Sequence, residues 1–162
     1  MRVSELNWMQ VESYLAHDDR AVVPLGCTEQ HAYLSLATDS ILAERVAVEA
    51  AEPLGVPVFP ALAYGFTPNF MAYPGTVTLR LETLLAMVRD VLDALAAHGF
   101  RRIYLLLANV ESEYAMHIVA KELTETTPAN IVTLNWLVGA RPGYKALLKS
   151  DKPQGHGGEG ET

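Results

Sequence analysis

The stretch "RIYLLLA", residues 102–108, has no wet face: Leu105, Leu106 and Leu107 follow one another, so both sides of a strand built from it are apolar. Such a strand belongs inside a parallel sheet covered by helices on both faces. The flanking sequence agrees. Upstream, Leu81, Leu84, Leu85, Val88, Val91, Leu92 and Leu95 repeat at the i, i+3, i+4, i+7 spacing of an amphipathic helix, and Gly99 stands where a C′ glycine ends one. Downstream, "ESEYAMHIVAKELTE" (111–125) reads as a helix that opens with acids, favourable at the positive end of its dipole. "NIVTLNWLV" (130–138) reads as the next strand, and "GARPG" (139–143) as a turn into a short helix around "YKALLK" (144–149).

Nearer the N-terminus, "AVVPLG" (21–26) is a β-branched run closed by glycine, as in a buried strand. Thr38 and Asp39 stand before the helical run "SILAERVAVEAA" (40–51), and one of them is expected to cap it. "VPVFPAL" (56–62) and "TVTLR" (76–80) are expected to be strands, joined by a Gly-, Pro- and aromatic-rich loop long enough for binding. Strands alternating with helices predict a three-layer α/β/α fold with a mainly parallel sheet. Residues 1–150 are expected to form a single α/β domain, followed by a Gly-rich C-terminal segment, 151–162, that by composition is a flexible tail.

The 162 residues are 50% hydrophobic and 19% charged, enough to bury a sizeable core. With 12 Lys+Arg against 19 Asp+Glu and no basic cluster, the formal charge of -7 argues against a nucleic-acid partner. A lone Cys27 excludes an internal disulfide framework and is compatible with a reducing compartment. No apolar run approaches the length of a membrane-spanning helix, so the expectation is a soluble, cytoplasmic protein without a membrane partner.

In open α/β sheets ligands bind at the carboxyl ends of the strands. Glu29 and His31 follow the first strand, Asn109 and Glu111 follow "RIYLLLA", and Asp39 begins a helix leading from the same edge. Carboxylates with an imidazole suit Zn²⁺ or Mn²⁺, and a shared carboxylate can bridge two ions. The same residues also fit plainer roles: a solvated loop for Glu29 and His31, a helix cap for Asp39, a first-turn acid for Glu111. His98 and His117 have no acidic partners at metal spacing, Trp136 ends an apolar strand as core residues do, and Cys27 lacks a partner histidine.

Taken in order, these segments resemble the creatininase (creatinine amidohydrolase) family. "VVPLGCTEQHAYLSLATD" (22–39) is similar to its strand ending in Pro-x-Gly-Ser followed by Glu-Gln-His-Gly, a second histidine and Thr-Asp. "YGFTPNFMAYPGTVTL" (64–79) is similar to its Tyr-Gly loop leading to Phe-Pro-Gly-Thr, "HGFRRIYLLLAN" (98–109) to its helix-to-strand segment, and "GHGGEGET" (155–162) to its late His-Ala/Gly-Gly-Glu-x-Glu-Thr-Ser motif.

The resemblance implies a metal-dependent amidohydrolase, often a homo-oligomer, that cleaves a C–N bond of a small cyclic or linear amide with metal-activated water at a centre of one or two Zn or Mn ions. Glu29, His31 and Asp39 fall on metal ligands, with Asp39 as the bridge, and Glu111 on a fourth. His156 falls on a histidine that assists proton transfer, and His156 or Glu159 is expected to pass the proton to the leaving nitrogen. Trp136 resembles a tryptophan lining the substrate pocket, and Tyr73, at the start of the Phe-Pro-Gly-Thr match, joins it as a substrate contact.

The pattern is broken at several points. The ligand histidine of the third segment is Asn109, in the metal set only through an amide oxygen, a poorer Zn²⁺ ligand than imidazole. The second histidine of the first motif is Tyr33, one residue is missing between His31 and Asp39, and the loop histidine is Phe70. The chain stops at Thr162 inside its last motif, whereas family members continue. It is expected to be a truncated member, a fragment, or a chain completed by another subunit, with an exposed sheet edge. The alternative function is a catalytically degenerate protein on the same fold, serving as a small-ligand-binding or assembly subunit.

Overall fold

The computed structural model describes residues 1–150 and 156–161. Three parallel strands, β1 (Arg20–Leu25), β2 (Arg102–Leu107) and β3 (Asn130–Asn135), lie side by side in that order. Their register runs from Arg20, Arg102 and Asn130 to Leu25, Leu107 and Asn135, so all three end level. Helix α1 (Trp8–Leu15) precedes β1; α2 (Thr38–Ala51) and α3 (Leu81–Ala97) lie between β1 and β2; α4 (Glu113–Thr126) joins β2 to β3; and α5 (Trp136–Leu147) follows β3.

Alternation along the strands builds the layers. Ala21, Val23, Leu25, Ile103, Leu105, Leu107 and Ile131 face one way and meet Leu84, Val88 and Leu92 of α3 and Met116, Val119 and Leu123 of α4 in the main core. Val22 and Leu106 face the other way, into a smaller cluster with Ala47 and Ala51 of α2, Val56, Val58 and Trp136. This is the expected three-layer α/β/α arrangement. Each fully buried Leu or Val contributes about 1.5–3 kcal/mol of transfer free energy, so most of the stability resides on the α3–α4 side. Helix α3 ends as its sequence indicates, with His98 as C-cap and Gly99 in a positive-φ conformation (108°). Phe100 then turns inward, edge-on to Phe59 at 5.6 Å and 6.5 Å from Tyr14 of α1.

Four expectations change. Residues 56–62 form only isolated parallel bridges, Val58 with Val22 and Arg2, and Leu62 with Leu25. Pro57 and Pro60 have no N–H, which prevents a continuous ladder. The "TVTLR" segment makes one antiparallel bridge, Thr28 with Val77, while the Thr78 hydroxyl accepts the N–H of Thr67 at 2.8 Å in place of a strand partner. Neither Thr38 nor Asp39 caps α2: Ala37 is the N-cap, the Thr38 hydroxyl donates to the Ser35 carbonyl, and Asp39 turns to His31. β3 stops at Asn135, whose side chain accepts from Leu137 N (3.1 Å) and starts α5 at Trp136; residues 139–143 lie within that helix. Part of the Gly-rich segment, 151–155 and 162, lies outside the described residues.

At the opposite end of the sheet, Asp18 receives Arg20 Nε and Nη2 (3.0 and 2.6 Å) and Arg102 Nη2 (3.1 Å). The Arg20 hydrogen bonds hold the Asp18 carboxyl well below its ordinary value of 3.8. Because the folded-state pKa is depressed, the pair stabilises the fold above the unfolded-state value and loses that contribution as pH falls below it. Partly exposed ion pairs are worth up to about 1 kcal/mol. In Asp18→Asn, therefore, Tm should drop by about 2–4 °C less than in the parent between pH 7 and pH 3. Equal drops in the two proteins would exclude this ion pair from the acid response.

Candidate metal centre

The level carboxyl ends of β1 and β2 open onto one cleft of about 450 Å³, bordered by Glu29, Asp39, Asn109, Glu111, His156 and Glu161. Gly26 ends β1, and a Cβ there would fall 2.5 Å from both Cα and N of Ser40. Only glycine permits this approach of the first turn of α2 to the strand end, which Ser40 Oγ fastens by donating to the Cys27 carbonyl. Asp39 thereby sits over the 27–37 loop, near the positive end of the α2 dipole. The loop reverses at Ala32, whose φ of 52° is a left-handed conformation uncommon outside glycine.

Glu29, His31 and Asp39 are 2%, 1% and 5% exposed, so the solvated-loop reading does not hold. His31 Nδ1 lies 3.1 Å from the Glu29 carbonyl oxygen, which can only accept, so Nδ1 carries the proton. Nε2 lies 3.1 Å from Asp39 Oδ1. In a neutral ring these are two acceptors face to face, and the contact calls for a positive charge between them. Burial alone would push the His31 pKa down, but the Asp39 hydrogen bond and the Glu29 carbonyl reverse this and raise it. For Glu29, burial raises the pKa and the nearby Asp39 charge adds to the rise. A divalent cation would relieve both.

Two further atoms favour a cation. Glu111 accepts from Asn69 Nδ2 through Oε1, while its Oε2 is buried with no hydrogen-bond partner. Glu29 Oε1 lies 3.6 Å from His156 Nδ1. Glu29, His31 and His156 can each offer a ligand atom with all three within 4.8 Å of one another, and Cys27, Glu29 and Asp39 form a second such group. Burial pushes the Cys27 thiol up, with the charges of Glu29 and Asp39 adding to the rise, which leaves it protonated and a weak ligand. Carboxylate oxygens with imidazole nitrogens suit Zn²⁺ or Mn²⁺, and the residues present fit such an ion.

Asn109 corrects the sequence reading. Its Oδ1 accepts from Ser112 N (2.9 Å) and Ser112 Oγ (3.0 Å), and its Nδ2 donates to Glu29 Oε2 (3.2 Å). A backbone N–H needs an acceptor, so the amide oxygen is committed away from the cleft and a donor faces the carboxylates. Glu159 also lies elsewhere: it accepts from Lys149 N and Ser150 N, while Glu161, two residues on, borders the cleft with Oε2 3.9 Å from His31 Nε2. The sequence signal was a Glu-x-Glu pair, with nothing in it to choose between the two acids.

Neither expected substrate residue borders the cleft. Trp136 begins α5 and packs in the cluster on the opposite face of the sheet. Tyr73 is half exposed, whereas Phe70, at the end of the 3₁₀ turn Pro68–Phe70, borders the cleft. Phe70 stacks on His156, with centroids 4.3 Å apart and planes 15° apart.

A family model described as creatininase, creatinine amidohydrolase, matches residues 4–162. The chain is 36% identical over 124 residues to creatinine amidohydrolase of Pseudomonas putida, covering 72% of this chain and 47% of that enzyme. It is 42% identical over 74 residues to the mycofactocin precursor peptide peptidase of Mycolicibacterium smegmatis, covering 40% of this chain and 30% of that protein. The matches thus span less than half the length of both curated relatives. A manganese form of creatininase superposes with a TM-score of 0.84 at 27% identity, covering 99% of this chain and 68% of that one.

Proposed function

Because this chain belongs to the creatininase family, we propose that its cleft binds one or two divalent ions, Zn²⁺ or Mn²⁺, and hydrolyses a C–N bond of a small cyclic or linear amide. The observation that carries this reading is the buried contact between His31 Nε2 and Asp39 Oδ1 at 3.1 Å, two acceptors when the ring is neutral, beside an unpartnered Glu111 oxygen. A bound ion would supply Lewis-acid polarisation of a carbonyl and a lowered pKa for water.

The chain's own residues supply the rest. Glu29, His31 and Asp39 would hold the ion, Asp39 would be shared with any second one, and Glu111 would complete the set. The Glu29 carbonyl orients the His31 ring, and Asn109, though not a ligand, orients the Glu29 carboxylate through its Nδ2–H. His156 or the Glu161 carboxyl supplies the proton for the leaving nitrogen. On this reading residues 1–150 form the catalytic domain, and His156 and Glu161 of the last motif border its cleft. The exposed apolar side chains of Tyr104, Val132 and Leu134 support a homo-oligomer, and the buried lone thiol suits the cytoplasm.

The lock of Asn109 on Ser112 favours a second reading, a degenerate relative that binds ligand without turnover. One experiment separates the two: elemental analysis of protein purified without chelator, followed by a panel of cyclic and linear amides. The enzyme reading expects one or two equivalents of Zn or Mn and amide hydrolysis that a chelator abolishes and added metal restores. Absence of both metal and hydrolysis would leave the binding or assembly role.

A further inference from the structure

Resting on the metal-binding reading above, we propose that His156 is itself a metal ligand, through Nδ1. His156 Nε2 contacts the Gln30 carbonyl oxygen, which only accepts, so that nitrogen carries the ring proton. The lone pair is then on Nδ1, and Nδ1 faces Glu29 Oε1 at 3.6 Å. This is the arrangement of His31 and Asp39 repeated: an imidazole acceptor opposite a carboxylate with nothing positive between them. Two ligands about 2.0–2.2 Å from one ion stand about 3.0–3.6 Å apart at the angles such ions adopt, and both contacts fall in or at the edge of that range.

The ring is also held as a ligand is held. It stacks on Phe70 at 4.3 Å and lies against the His31 ring at 4.1 Å, so Nε2, the one atom able to release a proton, is directed at backbone and away from the cleft. Glu29, His31 and His156 together form a three-atom set. Asn109, on the other side of Glu29, contributes no acceptor to it.

The test uses Mn²⁺ alone on the whole chain. Pulsed electron paramagnetic resonance of the parent should count two imidazole nitrogens on the bound ion, and His156→Ala should count one. The affinity of His156→Ala, followed by the signal of free Mn²⁺, should fall at least about 100-fold, beyond what loss of a residue that merely orients a ligand costs. Because the nitrogen count on the parent needs no variant, misfolding of His156→Ala cannot obscure it. One imidazole in the Mn²⁺-loaded parent, or unchanged affinity in folded His156→Ala, would overturn the ligand assignment while leaving the metal centre standing. A parent that binds no Mn²⁺ would remove both.

Discussion

Asp39→Ala should fold and lose its metal, with affinity reduced by about three orders of magnitude and metal content in elemental analysis falling to background. Two parts of the site meet at this carboxylate. It faces the free nitrogen of His31 at 3.1 Å, and it shares a ligand group with Glu29. On the proposed reading its removal deletes a ligand, and it also deletes the hydrogen bond that raises the His31 pKa, which should therefore fall. The fold should be nearly indifferent. Asp39 lies in the first turn of α2, outside both apolar clusters, and its charge disfavours ionisation of Glu29, which its loss relieves. A Tm within about 4 °C of the parent corresponds to about 1 kcal/mol in a chain of this size. Asp39→Asn, with the same shape and no charge, should lose metal equally. Metal content unchanged in either variant would place the ion away from Asp39.

Phe100→Ala should have the opposite profile, a large loss of stability with the metal ligands intact. Phe100 is 1% exposed and the largest fully buried side chain among the described residues. It joins three parts of the chain: Tyr14 of α1, Phe59 of the segment beside β1, and the junction of α3 with β2. Truncating a buried phenylalanine to alanine costs about 3–5 kcal/mol, a large share of the about 5–15 kcal/mol that holds a domain together. Thermal unfolding should show Tm lower by about 10–15 °C. Tyr104→Ala, two residues into β2 and 40% exposed, is the control and should cost far less. A loss under about 3 °C for Phe100→Ala, on the order of 1 kcal/mol, would mean that its neighbours close around the gap.

The elements that were legible are those whose apolar pattern has one solution. Leu105 to Leu107 can be buried on both sides only in a covered strand, and the spacing from Leu81 to Leu95 fits a helix and nothing else, with Gly99 marking its end. The misread segments share another feature: a polar or imino group decides them, and its effect depends on a partner distant in sequence. Pro57 and Pro60 leave residues 56–62 apolar and extended yet unable to form a ladder. Asn135 ends an apolar run that would otherwise continue to Val138, by capping α5. At the site, Glu29, His31 and Asp39 could be proposed from residue type and position, because a strand's carboxyl end collects such groups. The orientation of Asn109 could not, since it is set by an N–H three residues away, and neither could the choice of Glu161 over Glu159, which is set by the backbone of Lys149 and Ser150.

Cys27, the single thiol, is completely buried between Glu29 and the Gly65 backbone, where an added Cβ would fall 2.3 Å from its sulfur. A thiol reagent therefore reaches it only through an opening of the fold, local or global, so the labelling rate of the native protein is a clock for the easiest opening that uncovers this corner. An ion bound to the neighbouring carboxylates must leave or move before that opening, and it slows the clock in proportion to its occupancy and affinity. One cysteine thus makes the molecule its own reporter of what its cleft holds.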